Sequence, residues 1–534
     1  MIPPATAPPV APPSRRPPLT TNPYVGILGV FLGAGIATLN TRLLSVGLPD
    51  LRGARGFGYD QGSWIPTALS MATMFSGVFV VFVNALSGPR RILLPAAATF
   101  AMVSLLLPLA PSYWVMLGLV TIAGVSSGTF YTLTMTFVLT ALPKRLIILG
   151  IAAYAADIIF VSYSATALEG WYIEHLSWRW IFWTGASLTP LMIICVYYGI
   201  PQRPRPDHRP NWRGFVYFSA GFGLLCGALD QGERLDWLNS GVFVAMLAAG
   251  LLLVGAAVRR ASQPNPTLNL SFLNQRNVII LGSSIFVFKF AQLADLMLVP
   301  GFLGNIQGYR PLQTGQALMW VALPAFAVAG LVAALMIHTS SRLILTVGLT
   351  VAAVACWFCA QLDTSWAANN FVTMELFMAV GFAGTFTGLV GSIVLEGLES
   401  GALRSPANAA TFAGFMHFIR IFGGAVGSAL MTRFISVREQ FHSNLLGLDV
   451  QTGSWLTDRR LRMLGGALLP DSTGPQQAQH RAITILGDQV RAQAYTMAVA
   501  DGFILVGWMV AAYLLMTLLL KPGKITFKDL RKMQ

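Results

Sequence analysis

The chain has 534 residues, of which 55% are hydrophobic and only 10% charged, and its formal net charge is +14. Soluble domains carry about 25% charged residues, and a soluble chain this apolar would expose aggregating patches, so the composition excludes a water-soluble protein. The cations are spread along the chain rather than gathered on one segment, which argues against a nucleic-acid partner and for loops that orient helices in a lipid bilayer.

Residues 1–23 hold nine prolines and the basic pair Arg15 and Arg16. No apolar run followed by a cleavage site occurs there, so the segment is not a cleavable signal peptide; its composition predicts an extended, disordered cytoplasmic tail. A membrane helix needs about 20 mostly apolar residues. Runs of that kind begin near Tyr24, Gly62, Ile92, Trp114, Leu146, Trp178, Gly214, Leu238, Asn277, Gln313, Leu343, Phe371, Ser405 and Met497. The run after Gly214 is short and rich in glycine, and the run after Asn277 contains Lys289 and Asp295. The expected fold is therefore all-α and polytopic, with 14 transmembrane spans. The runs divide into a first six-helix bundle over 24–200, a basic linker over 201–213, an inserted pair over 214–258 and a second linker over 259–276. A second six-helix bundle follows over 277–520, with a long outer loop at 436–494, and a basic cytoplasmic tail ends the chain at 521–534.

Charge asymmetry orients the spans. With the amino terminus inside, cytoplasmic segments hold twenty Lys and Arg, among them Arg90, Arg91, Lys144, Arg145, Arg342 and Arg404. The short outer loops hold only Arg52, Arg55, Arg179, Arg234 and Arg310. This positive-inside bias puts both termini in the cytoplasm of a multi-pass inner (plasma) membrane protein. The 436–494 segment carries six arginines and still fits outside, because long loops translocate largely regardless of charge. Within it, Leu456 to Leu464 has the pattern of an amphipathic helix; a solvated loop and a docking surface for an extracytoplasmic partner both remain open.

Other motifs are weaker. The four cysteines, Cys195, Cys226, Cys356 and Cys359, all fall in apolar runs. The CxxC at Cys356 and Cys359 lacks the second ligand pair that a zinc site needs, so buried thiols are expected, with no metal and no disulfide framework. No nucleophile elbow, HExxH or phosphate loop occurs, so neither an enzyme nor a cofactor is indicated. Glycines four apart, at Gly29 and Gly33, Gly124 and Gly128, Gly384 and Gly388, and Gly423 and Gly427, mark faces where helices approach closely.

Charges inside the spans are few. Arg42 lies in span 1, Asp157 and Glu169 in span 5, Lys289 and Asp295 in span 9, Glu375 in span 12, and His417 and Arg420 in span 13. A charge in the hydrocarbon core costs roughly 3 kcal/mol or more, so these groups should face protein or a wet cavity. Asp157, then Asp295, then Glu375 are the candidate proton carriers, because a buried carboxylate can alternate between paired and protonated states. Arg42 is a candidate partner for Asp157. Lys289 and Asp295, six residues apart, are not expected to pair directly. The cavity should otherwise be aromatic and soft, with Phe130, Tyr131, Tyr154, Tyr163, Phe286, Phe290, Trp320, Met374 and Phe415 as candidate lining residues.

Several segments, in order along the chain, resemble the fourteen-helix drug:proton antiporters of the major facilitator superfamily, the EmrB/QacA type. Span 1 ends Leu39-Asn-Thr-Arg-Leu-Leu-Ser-Val-Gly-Leu-Pro49, and span 2 opens with Gln61-Gly-Ser-Trp64. Ser177-Trp-Arg-Trp-Ile-Phe182, Leu229-Asp-Gln-Gly232, Asn265-Pro-Thr-Leu-Asn-Leu-Ser-Phe272 and Arg420-Ile-Phe-Gly-Gly-Ala-Val-Gly427 follow. The resemblance implies two rocking six-helix halves, with spans 1 and 5 and spans 9, 12 and 13 lining a central cavity. It also implies a structural or gating role for Arg420, and for Arg90 and Arg91 after span 2. The coupling motifs are eroded. The aspartate of the family's first span is Asn40, that of the loop motif Val81 to Arg91 is Ala85, the arginine of span 4 is Val120, and the antiporter motif of span 5 is Ala165-Thr-Ala-Leu-Glu-Gly170.

The expected function is secondary active transport: proton-coupled export of hydrophobic or amphipathic drug-like compounds by alternating access. The resemblance also implies a periplasmic adaptor protein as partner, contacting 436–494, in a tripartite efflux system. The eroded motifs keep two rivals open, an exporter of a specific metabolite or lipid with atypical coupling, and a transporter-like sensor or scaffold that moves nothing.

Overall fold

A computed structural model of the chain describes residues 22–141, 147–202, 212–261, 275–399, 406–451, 453–521 and 527–528. The proline-rich tail, most of both linkers and most of the basic carboxyl-terminal tail lie outside the described residues, as do Lys144, Arg145, Arg404 and the 265–272 motif. With no water in the hydrocarbon, every backbone N–H and C=O must be satisfied within its own segment, and helices do this. The described residues form sixteen α-helices and no strand.

The first half comprises α1 (Pro23–Val46), the short α2 (Leu48–Arg55), α3 (Tyr59–Ser87), α4 (Pro89–Leu106), α5 (Tyr113–Ala141), α6 (Ile147–His175) and α7 (Trp180–Gly199). An inserted pair follows, α8 (Trp212–Gln231) and α9 (Gly241–Ala261). The second half comprises α10 (Arg276–Gln307), α11 (Pro311–His338), α12 (Ser341–Cys359), α13 (Ala368–Glu399), α14 (Pro406–Asp449), α15 (Trp455–Leu468) and α16 (Pro475–Thr517). Thirteen of these are long and apolar enough to cross a membrane. The fourteenth span is the glycine-rich α8, which lies against α9 and α3 and, at 20 residues, is about 30 Å long. An even number of spans brings α1's start and α16's end to one face, here called the tail face. The Asn277 side chain ties these elements together there, donating to Glu396 at 2.8 Å and accepting from the Lys521 amide at 3.1 Å.

All four glycine pairs lie at helix contacts. A Cβ on Gly29 would stand 2.8 Å from Cys195 Cβ on α7, and one on Gly128 would stand 2.5 Å from the Thr73 carbonyl oxygen on α3. Gly388 meets Leu345 on α12 in the same way, and Gly423 and Gly427 seat Phe286 and Phe290 of α10. Lipid provides no hydrophobic drive between helices, so close van der Waals approach at small residues holds them together.

The halves meet along two lines. α6 crosses α11 toward the face opposite the tail, where a Cβ on Gly170 would lie 2.2 Å from the Leu312 amide and one on Gly315 would lie 2.3 Å from Ala167 Cα. α3 crosses α14, where the His417 ring fills the space beside Gly77 and Val81 fills that beside Gly414. Two sequence motifs converge to anchor the inserted pair. Gln231 donates to the Ser63 carbonyl (3.0 Å) and to Thr67 Oγ1 (2.6 Å), while Arg234 pairs with Asp60 at 2.7 Å and covers Trp64.

The 436–494 segment differs from the expected loop. It is helical for most of its length, because α14 continues to Asp449, α15 follows, and α16 begins at Pro475. α14 has 44 residues and α16 has 43, or about 65 Å each against a hydrocarbon core of about 30 Å. The excess forms a helical arm on the face opposite the tail. At its base Asp501 of α16 accepts from Arg438 Nε of α14 at 2.6 Å and lies 2.7 Å from His442 Nε2. Asp501 is thus far along α16 rather than near its start. Polar arginines and glutamines hid the helices from a hydropathy reading; α15 matches the amphipathic pattern at Leu456 to Leu464.

Substituting Gly315 by Val should force α11 off α6 and open the arm-side contact. A cysteine placed at Leu312 should then react severalfold faster with a membrane-impermeant maleimide, whereas Gly330→Val, where a Cβ meets nothing within 4 Å, should leave the rate unchanged.

Candidate functional site

A pocket lies between the halves, lined by Tyr131 and Tyr154 from the first half and by Ile285, Phe386, Met416 and Arg420 from the second. α5, α6, α10, α13 and α14 supply these residues, so the pocket sits where the two bundles face each other. Arg420 projects one turn before the Gly423 and Gly427 contact with α10, which fixes its height. Its guanidinium carbon stands 3.3 Å above the Tyr131 ring centroid, a cation–π contact that crosses from one half to the other. Phe288 and Phe386 stack at 4.8 Å, and the Lys289 ammonium lies 5.4 and 5.6 Å from their centroids. The same ammonium donates to Gln292 Oε1 at 2.5 Å, one turn along α10, so Lys289 and Asp295 do not pair.

Asp295 is bonded across the interface instead. Tyr163 of α6 donates its hydroxyl to Asp295 Oδ2 at 2.7 Å. Both residues are buried, and Oδ1 of Asp295 has no partner. Glu375 of α13 is buried with neither carboxyl oxygen bonded. Asp157 is half-buried, and its Oδ2 also lacks a partner. The carboxylate faces Gly35 of α1, where a Cβ would come within 3.1 Å of Oδ1. The expected meeting of Arg42 and Asp157 does not occur. Arg42 is seven residues beyond Gly35 on α1, a rise of about 10 Å, and its electrostatic neighbour is Tyr163.

The remaining candidates divide. His417 packs its ring 5.3 Å from that of Tyr131 and against Gly77, at the contact between halves. Arg90 is buried within the first half, donating to the Ile200 carbonyl at 3.4 Å and lying over the Tyr197 ring; it holds the carbonyl end of α7. Arg91 is exposed. Asn40 is buried on α1. Phe286 and Phe290 pack on Gly423 and Gly427, and Phe415 packs on Gly282, so these three brace α10 against α14. Met374 is half-buried against the second half's core.

Two aromatic candidates lie away from the pocket. Phe130 is buried inside the first half, edge-on to Phe100 at 5.6 Å. Trp320 is 45% exposed and shares an outward face of α11 with Leu323 and Phe326. The opposite face of α11 carries Leu318, Val321, Ala322 and Ala325, all fully buried, so the bulky tryptophan points to lipid while smaller residues pack. Ile285, Phe386 and Met416 escaped sequence reasoning because an aliphatic or aromatic residue in an apolar span has no local mark distinguishing pocket from core.

Two six-helix halves that share an aromatic, charge-bearing pocket at their interface define a membrane transporter. The chain belongs to the Major Facilitator Superfamily, whose family model matches residues 30–428. It is 23% identical over 430 residues to the multidrug export protein EmrB of Haemophilus influenzae, covering 78% of this chain and 82% of that protein. It is 24% identical over 422 residues to the fatty acid resistance protein FarB of Neisseria gonorrhoeae, covering 78% of this chain and 81% of that one. The proton:xylose symporter XylE, solved with 6-bromo-6-deoxy-D-glucose, superposes with a TM-score of 0.57 at 11% identity, covering 95% of this chain and 98% of its own, and shares the fold.

Replacing Tyr163 by Phe should leave both oxygens of a buried carboxylate unsatisfied and cost about 1–3 kcal/mol. The thermal midpoint of the purified protein should fall. The double variant Tyr163→Phe/Asp295→Leu should recover much of that loss, since removing both polar partners is close to neutral.

Proposed function

We propose that this chain exports hydrophobic or amphipathic compounds by alternating access, driven by a proton gradient. The observation that carries the proposal is the juxtaposition, between two rocking halves, of an apolar-aromatic pocket with the partnerless carboxyl oxygen of Asp157. An apolar wall suits substrates that bind by area burial. A carboxylate that is free to lose and regain a proton gives the cycle its coupling group. Asp295, held by Tyr163, and Glu375 serve as secondary proton sites. The names of the relatives EmrB and FarB, one a multidrug exporter and one a fatty acid resistance protein, support the substrate range.

The cation bias puts the tail face, with both termini, in the cytoplasm and the arm outside an inner membrane. The arm is the docking surface for a periplasmic adaptor. Val437, Phe441, Leu445 and Leu448 are exposed at helical spacing on α14, an apolar stripe suited to a partner helix.

In proteoliposomes loaded with a lipophilic dye, Asp157→Asn should lower pH-gradient-driven efflux at least about tenfold while dye binding persists; unchanged coupling would remove Asp157 from this role. Phe441→Glu should abolish co-purification of an adaptor encoded beside this gene without changing dye transport in liposomes.

A further inference from the structure

The pocket carries a charge preference of its own, and the inference below rests on the transporter reading. Among the described residues, the ion pairs within 4.0 Å are Arg234–Asp60, Arg433–Glu233, Arg438–Asp501, His442–Asp501 and Arg491–Asp488. All belong to the arm-side face or the arm. None involves Arg420 or Lys289, the two cations that border the pocket. The carboxylates at similar depth are engaged or aimed elsewhere: Asp295 accepts from Tyr163, Asp157 faces Gly35, and Glu375 lies two turns from the arm-side start of α13. Asp157 stands within electrostatic reach of Tyr131 but forms no ion pair with either cation. Arg420 and Arg42 both add positive potential at Lys289.

A buried cation without a counter-ion is strongly unfavourable. Arg420 is held face-on to Tyr131 at 3.3 Å, and a guanidinium stacked by its face keeps its N–H edge free for planar bidentate donation to an oxyanion. Its Nε has no partner. The rest of the wall, including Ile285, Ile393 and Met416, is apolar. We propose that the pocket takes amphipathic anions, a single oxyanion headgroup on an apolar body. The headgroup sits on the edge of Arg420 with Lys289 as the second cation, and the body lies along the aliphatic wall.

The test uses two permanently charged probes of equal chain length, decanesulfonate and decyltrimethylammonium, below their micellar concentrations. Binding to the full chain in phosphatidylcholine nanodiscs is measured by calorimetry. The wild type should bind the sulfonate about tenfold or more tightly than the ammonium. Arg420→Gln should weaken the sulfonate by about tenfold and leave the ammonium unchanged, and Arg420→Lys should lie between. Lys289→Gln, a second variant against loss of folding at Arg420, should weaken the sulfonate severalfold. Equal or tighter binding of the ammonium, or sulfonate binding indifferent to both variants in protein of unaltered thermal midpoint, would overturn the proposal. Gradient-driven transport in liposomes separates this from the broader reading. Movement of the ammonium alone would keep the exporter and discard the anion preference. Arg420-dependent sulfonate binding without transport of either probe would keep the anion site and discard the exporter.

Discussion

Close approach of helix backbones governs this molecule. In lipid the helices gain nothing by hiding apolar surface from one another, so association rests on contact at short range. Glycine supplies that range at each major seam: α1 on α7, α5 on α3, α12 on α13, and α10 on α14. The same device joins the halves, where Gly170 and Gly315 bring α6 against α11. It also sets the pocket. Gly423 and Gly427 draw α14 onto Phe286 and Phe290, and that register delivers Arg420, one turn away, to the ring of Tyr131.

The sequence carried the architecture because composition and spacing encode it directly. Apolar runs gave the spans, and glycines four apart gave the seams. The arm was illegible to hydropathy, since α15 and the first turns of α16 are polar helices in water, stabilised by contacts with each other rather than by lipid. Depth of a charge along its own span was also legible. Its partner was not. Arg42 and Asp157 looked like a pair, yet α1 presents Gly35 to Asp157 and carries Arg42 two turns further on. The real cross-interface bond, Tyr163 to Asp295, joins residues 132 positions apart, and no local pattern announces it. Trp320 failed as a lining residue for a related reason: the spans show weak amphipathicity, so which face meets lipid depends on the neighbour.

The distribution of charge partners divides the protein by depth. Near the arm-side face, cations and carboxylates are matched: Arg234 with Asp60, and Arg438 and His442 with Asp501. At the level of the pocket the charged groups are held by neutral partners, Lys289 by Gln292 and Asp295 by Tyr163, or by an aromatic face, as Arg420 is by Tyr131. Neutral partners satisfy hydrogen bonds without cancelling charge. A midplane built this way keeps its electrostatic potential available to a ligand or a proton, whereas a fixed ion pair would neutralise it.

The arm has a mechanical consequence. Both helices that carry it, α14 and α16, are clamped at its root by Asp501 and belong to the same half, so the arm must turn as a rigid extension of that half. The stretch from Pro475 to Asp501 reaches about 39 Å beyond the clamp. A rigid-body tilt of about 10° in that half would sweep the tip through roughly 7 Å. A displacement too small to notice beside the pocket thus becomes a stroke at the far end, large enough for whatever grips the arm to sense which way the transporter faces.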